Sequence, residues 1–111
     1  MKTAKEVLLG AAELLTDERW IQGNSSQDAA GIEIYPDVPA ACRWCTDGGL
    51  QKIAGDDIDV CEDARLAILN VLGDKTLEDW NDEPGRTAAD VRALLRKAAE
   101  WYSSEERHSK E

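Results

Sequence analysis

The chain has 111 residues and a formal net charge of −10, from thirteen basic and twenty-three acidic residues. This length suits one domain, and a hydrophobic content of 42% is enough for a core, which argues against global disorder. An excess of negative charge repels a phosphate backbone, so the composition argues against direct nucleic-acid binding.

The N-terminal segment combines two lysines with an apolar stretch, as a signal peptide does. Glu6 and Glu13 interrupt that stretch, and charged residues follow it instead of a small-residue cleavage site. No apolar run approaches the length that spans a bilayer, so we expect no membrane association. We therefore expect a cytoplasmic protein in which this segment is a helix of the fold.

The first half of the chain predicts two helices separated by a long loop. Thr3 and Glu6 form a capping box before a predicted helix over 4–15. Residues 16–37 predict a loop, exposed and mobile over 23–31, with a short extended segment near 32–35. Asp37 is the expected cap of a second helix over 38–53, in which Gly48 and Gly49 either break the helix or allow another backbone to approach closely.

The second half predicts three further helical segments. An apolar stripe from Ile58 to Leu72, followed by Gly73, indicates the third helix, and a short turn of helix follows from Thr76 to about Asn81. A capping box at Thr87 begins the last helix, predicted over 88–102, and residues 103–111 are expected to form a flexible polar tail. The sequence thus predicts an all-α single domain over residues 1–102, a bundle of about four main helices.

Residues 56–83, called here the acid-rich segment, hold ten acids against Arg65 and Lys75. Such a run serves solubility, or stabilises a helix N-terminus, or forms a face that meets a basic partner. The candidate binding residues on this face are Asp56, Asp57, Asp59, Glu62, Asp63, Glu78, Asp79 and Glu83.

Three cysteines, Cys42, Cys45 and Cys61, raise the question of metal or redox chemistry. On a helix, the spacing of Cys42 and Cys45 places both near one face, where free cysteines commonly pack as small apolar residues. A zinc site needs four ligands, and a redox pair is expected at a helix N-terminus that follows a strand. The sequence favours packing, and we expect no metal and no cofactor.

Catalytic motifs are missing from the sequence. The single histidine, His108, falls in the predicted tail, where a general base could not be held near a nucleophile. No phosphate-binding glycine motif is present either.

The stretch Asp-Trp-Asn-Asp-Glu-Pro-Gly-Arg-Thr, residues 79–87, supports two hypotheses. In the structural one, Trp80 plugs the core, Asn81 and Asp82 accept local backbone hydrogen bonds around the turn, and Arg86 pairs with Asp82 or Asp79. In the functional one, the turn rims a ligand pocket with the 21–35 loop as a lid. The candidate pocket residues are Trp20, Trp80, Asn81, Asp82 and Arg86.

Three stretches, ERWIQG at 18–23, AACRWCTDGGL at 40–50 and WNDEPGRTAADVRALLRKAAE at 80–100, carry a resemblance. Together they resemble a family of short actinobacterial and bacteriophage proteins, catalogued as a domain of unknown function. Gly49 and Ile21 depart from the pattern, and Cys42 is not part of it. The resemblance implies a phage or actinobacterial origin and implies no activity.

These observations lead to two functional hypotheses. The first is a non-enzymatic, acidic interaction protein that binds a basic surface of another protein. It would be a phage-linked accessory factor or inhibitor of a host protein that handles nucleic acid or acts in defence, with acids that imitate a phosphate backbone. The alternative is a small-ligand-binding protein or enzyme with its pocket at the Trp80-Asn81-Asp82 turn.

Overall fold

The computed structural model describes residues 2–73 and 75–109, and side chains as far as residue 102. Within these ranges the chain forms five helices and one two-stranded sheet. They are α1 (Ala4–Leu14), β1 (Ser26–Gln27), β2 (Arg43–Trp44), α2 (Thr46–Ala54), α3 (Ile58–Leu72), α4 (Leu77–Asn81) and α5 (Ala88–Ser109). The prediction of a predominantly α-helical fold is confirmed.

Helix α1 lies at the centre of the packing and contacts α5, α2 and α3. Its buried stripe follows the spacing of three and four that places residues on one face of a helix. The fully buried side chains of the three longest helices meet in one core, formed mainly by Val7, Leu8, Ala11, Ala64, Ala67, Ile68, Val91, Leu95 and Ala98. None of the described helices is long and apolar enough to cross a membrane.

Side-chain caps begin α1 and α5 where the sequence predicted them, whereas α2 is capped by Cys45 and not by Asp37. Thr3 and Glu6 form the reciprocal capping box of α1, with hydrogen bonds of 3.0 and 3.2 Å. Thr87 and Asp90 exchange the same pair of bonds at the start of α5. Asp57 caps α3 through the backbone N–H of Val60.

The second predicted helix is wrong over its first half. Residues 36–40 form turns, β2 follows at 43–44, and α2 begins only at Thr46. The reason is pairing with a distant segment, because the N–H groups of Cys42 and Cys45 donate to the backbone oxygens of Gln27 and Ser25 at 2.9 and 3.0 Å. These bonds hold the chain extended where Pro39 and its neighbours suggested a helix.

The same pairing orders the segment predicted as an exposed loop over 23–31. Ser26 is fully buried, its hydroxyl donates to the backbone oxygen of Ile34, and β1 pairs antiparallel with β2. Asp28 closes the turn by accepting from the N–H groups of Ala30 and Ile32. The extended segment near 32–35 is reduced to one bridge between Gln27 and Glu33.

Helix α5 continues to Ser109, seven residues beyond its predicted end, through a run rich in good helix formers such as Glu105 and Glu106. The side chains of the predicted tail, His108 included, lie outside the described residues, as do residues 110 and 111 and Asp74 of the acid-rich segment.

Candidate functional site

Asn81, the last residue of α4, is 1% exposed and joins three parts of the chain. Its Oδ1 accepts from Trp20 Nε1 at 2.7 Å, from the Thr46 backbone N–H at 2.9 Å and from the Thr46 hydroxyl at 2.6 Å. Its Nδ2 donates to the backbone oxygen of Ile21 and to Asp82 Oδ1, at 3.1 and 3.0 Å. We call these residues the Asn81 junction.

The junction corrects the prediction that Asn81 and Asp82 accept local bonds around a turn. Trp20 and Asn81 lie 61 positions apart in the chain, and Thr46 and Asn81 lie 35 apart. Asp82 accepts from Gly23 N at 2.9 Å, again across a long sequence separation. These bonds fix the 20–23 segment and the first turn of α2 against α4.

Trp80 and Arg86 form a separate pair behind the junction. Trp80 belongs to the core, as predicted, and the Arg86 guanidinium lies over its ring, 4.0 Å from the centroid. Arg86 Nε also donates to the backbone oxygen of Trp80 at 3.0 Å, and its guanidinium pairs with Glu83. The acid that Arg86 contacts is therefore Glu83, at the other end of the Pro84-Gly85 turn, and the expected pairing with Asp82 or Asp79 is wrong.

Beside the Asn81 junction lies a cleft of about 440 Å³. Its walls come from residues 23–25, the start of α2, the middle of α3 and the residues of α4. The charged side chains of its lining, among the described residues, are Glu33, Asp47, Arg65, Glu78 and Asp82. Of the five candidate pocket residues, Asn81 and Asp82 line this cleft. Trp20, Trp80 and Arg86 do not line it, since they are engaged in the junction and the core.

Among the residues that the structure describes, four carboxylates and one guanidinium thus surround the cleft, and the guanidinium is already engaged. Arg65 Nε lies 2.7 Å from Asp47 Oδ1, and its Nη1 pairs with Glu62. Burial alone would lower the pKa of Arg65, but the hydrogen bond and charge of Asp47 outweigh it and raise that pKa. The exposed carboxylates of Glu33, Glu78 and Asp82 leave the cleft with an excess of negative charge.

Gly48 explains how the 23–25 segment reaches the cleft. A Cβ on Gly48 would stand 2.0 Å from the backbone oxygen of Ser25, so a side chain cannot be accommodated there. Gly48 therefore serves the close backbone approach, Gly49 packs against the side chain of Leu15, and α2 continues through both glycines.

Cys45 lines the cleft and is the N-terminal cap of α2, where its Sγ accepts from Gly48 N at 3.3 Å. Burial raises the pKa of its thiol, and the negative charge of Asp47 raises it further. Cys45 is therefore a neutral thiol at pH 7, unlike the thiolate that nucleophilic chemistry requires.

The other two cysteines lie apart from Cys45. Because Cys42 and Cys45 flank an extended strand, the prediction that they share a helix face is wrong, while Cys61 lies in the core on α3. Within residues 2–73 and 75–102, no group of three or more His, Cys, Asp or Glu side chains is arranged to hold a metal ion.

The acids predicted as a binding face occupy several environments. Asp57 caps α3, Glu62 pairs with Arg65, and Glu83 pairs with Lys75 and Arg86. The hydrogen bond from Lys75 lowers the pKa of Glu83. Glu78 lines the cleft, and the remaining candidates, Asp56, Asp59, Asp63 and Asp79, are exposed.

Sequence analysis missed Glu33, Asp47 and Arg65, which lie on three different segments. One signal was available, since Arg65 is one of only two basic residues in the acid-rich segment. Glu33 and Asp47 carried no such signal, because their approach depends on the pairing of β1 with β2.

No curated protein and no solved structure matches this chain. A protein-family model, described as a family of unknown function (DUF6197), matches residues 1–100. The chain therefore belongs to this family.

Proposed function

We propose that the chain is a non-enzymatic binding module that receives a positively charged group of a partner protein in the cleft. The observation that carries the proposal is the lining of four carboxylates, with a single guanidinium already paired to Asp47. A Lys or Arg side chain entering the cleft would meet the carboxylates of Glu33, Glu78 and Asp82, which form no ion pair with any described residue. Charge-assisted hydrogen bonds to carboxylates are the strong ones among protein hydrogen bonds.

The net charge of −10 supports a basic partner, because a strong field of one sign speeds the encounter with a surface of the opposite sign. Proteins that handle nucleic acid carry such basic surfaces. In full, we propose that the chain is a phage-linked accessory factor or inhibitor. It would bind a host protein that handles nucleic acid or acts in defence, and its acidic side chains would take the place of a phosphate backbone.

The non-enzymatic part of the proposal is supported by the state of Cys45. This residue is the thiol in the cleft wall, and burial and Asp47 keep it protonated. Neighbouring carboxylates disfavour the thiolate further, which is the opposite of the electropositive setting of reactive cysteines.

The test uses a hexa-arginine peptide and isothermal titration calorimetry. We expect the double variant Asp82→Asn, Glu78→Gln to bind the peptide about tenfold more weakly than the unmodified protein, a difference of about 1.4 kcal/mol. The matched control is Glu13→Gln, Glu100→Gln, which removes the same charge from exposed positions on α1 and α5. Equal weakening in the two double variants would show a non-specific field effect and contradict the proposal, as would the failure of the peptide to bind at all.

A second candidate is a small-ligand site, because about 440 Å³ lies in the range of small-molecule pockets. The same charges would then select a small cation, in a protein or enzyme whose pocket uses Asn81 and Asp82. Titration with ethylguanidinium separates the two candidates. Saturable binding at the cleft by this small cation, as tight as that of the peptide, favours the small-ligand site.

A further inference from the structure

A second recess, called here the groove, lies across Arg65 from the cleft. It measures about 290 Å³ and is formed by the 35–37 segment, the end of α2 and the first turns of α3. Its lining includes Tyr35, Asp37, Ile58, Glu62 and Arg65. Because Arg65 belongs to the walls of both recesses, the cleft and the groove are adjacent.

The groove exposes two large hydrophobic side chains to solvent. Tyr35 is 79% exposed and Ile58 is 74% exposed, the highest values among the exposed large hydrophobic residues of the described chain. Single exposed apolar residues are common on proteins, but two on the rim of one recess form a local apolar surface. Ile58 is the first residue of α3, directly after its cap, so helix packing gives no reason for an apolar residue there.

The charges around this apolar surface are negative. Asp37 and Glu62 line the groove, and the exposed carboxylates of Asp56 and Asp59 flank Ile58 in the chain. The positive charge in the lining, that of Arg65, is neutralised by Asp47 and Glu62. An occupant that is apolar at its centre and basic at its sides therefore complements the groove, whereas an acidic occupant would be repelled.

We propose that the groove binds an apolar side chain of a partner protein, carried on a segment with Lys or Arg on both sides, and that the same segment extends across Arg65 to place a basic side chain in the cleft. This inference rests on the proposed function and adds to it the sequence character of the partner segment. A second copy of the chain complements the groove poorly, because each copy carries a net charge of −10.

Three peptides of nine residues test the groove by fluorescence anisotropy. The first has leucine between Lys and Arg flanks, the second replaces leucine by serine, and the third keeps leucine between Glu flanks. We expect the basic leucine peptide to bind about tenfold more tightly than the basic serine peptide, and the acidic peptide not to bind. The double variant Tyr35→Ala, Ile58→Ala is expected to abolish the preference for leucine while it still binds the serine peptide.

The matched control is Leu66→Ala, which removes an exposed apolar side chain from the same helix, outside both recesses. This control is expected to keep the preference for leucine. If the two basic peptides bind the unmodified protein with equal affinity, the proposed binding in the groove is wrong. The proposed binding in the cleft still holds in that case if Asp82→Asn, Glu78→Gln weakens the binding of both peptides. If neither basic peptide binds, the proposed function fails first.

Sedimentation velocity of the chain alone tests whether a second copy of the chain occupies the groove. We expect the same sedimentation coefficient for the unmodified protein and for Tyr35→Ala, Ile58→Ala. A dimer that dissociates in this double variant would assign the groove to a second copy of the chain and overturn the proposal.

Discussion

Asn81 and Asp82 are neighbours in the chain, yet they face opposite conditions. Asn81 is 1% exposed and its amide makes five hydrogen bonds, three accepted and two donated. Asp82 is exposed. Its Oδ1 accepts from Asn81 Nδ2 and Gly23 N at the edge of the junction, and the residue also lines a cleft whose other carboxylates come from three separate segments. The comparison teaches that the distinctive residues of this turn divide between a buried junction that holds the fold and an acidic surface that is free to bind.

The largest effect is expected at the junction itself. Asn81→Ala leaves Trp20 Nε1 and both donors of Thr46 without their acceptor in a buried setting, so we expect the free energy of unfolding to fall by about 3 kcal/mol. Urea unfolding followed by circular dichroism measures this loss. Asn70→Ala, which removes an exposed amide from α3, serves as the control and is expected to stay within about 0.5 kcal/mol. Similar values for the two variants would contradict the structural role of the junction.

The close approach of Ser25 to Gly48 provides a second test of the residues that support the fold. We expect Gly48→Ala to lower the free energy of unfolding by about 2 kcal/mol, because the added Cβ meets a backbone oxygen that is itself hydrogen-bonded to Cys45 N. In Gly10→Ala the new Cβ meets the flexible side chain of Ile53 at 3.0 Å, and alanine favours the helix. Thermal unfolding should therefore show a clearly lower melting temperature for Gly48→Ala and not for Gly10→Ala. Equal decreases in the two variants would argue against the close approach of Ser25 to Gly48.

Arg86 should prove structural, although it belongs to the same turn as Asp82. Arg86→Lys keeps the charge but loses the stacking on Trp80 and the Nε hydrogen bond to its backbone oxygen, so we expect a loss of about 1 kcal/mol. Arg96→Lys, at an exposed position of α5, is the matched control and should be neutral in the same urea unfolding experiment. If Arg86→Lys is as stable as the unmodified protein but binds the peptide more weakly, Arg86 contributes to binding and not to stability.

The smallest effect concerns Cys45, which belongs to both sides because it caps α2 and lines the cleft. Its pKa in the folded protein is raised above the ordinary value of about 9.0, so the folded state keeps the proton after the unfolded state has lost it. Stability is therefore complete below this ordinary value and falls as the pH rises toward the folded pKa. We expect Cys45→Ser, whose hydroxyl can also accept from Gly48 N, to lose less stability between pH 8 and pH 10 than the unmodified protein. If Cys45→Ser and the unmodified protein lose the same stability between pH 8 and pH 10, Cys45 has the same pKa in the folded and unfolded states.

The sequence allowed prediction wherever the signal was local. The capping boxes at Thr3 and Thr87, the stripe of α3 and the stop at Gly73 each depend on residues within a few positions. All appear in the structure, except that the buried stripe begins at Cys61, because Ile58 is exposed. Residues 37–45 could not be predicted in this way, because their conformation depends on hydrogen bonds to residues 25 and 27.

The candidate site was predictable only in part for the same reason. The turn suggested Asn81 and Asp82, but nothing near them in the sequence indicated Glu33, Asp47 or Arg65. Only the folded chain brings these residues together, across the β1–β2 pairing and the Asn81 junction.

The central claim, that the acidic cleft binds while the junction beside it supports the fold, is tested most directly by mapping hexa-arginine binding on the amide spectrum of the ¹⁵N-labelled protein. The account predicts that the largest shift changes fall on cleft residues such as Gly23, Asp47, Glu78 and Asp82, and that Asp82→Asn, Glu78→Gln removes them without lowering the melting temperature. Shift changes scattered over the acids of all five helices, unaffected by that double variant, would contradict it.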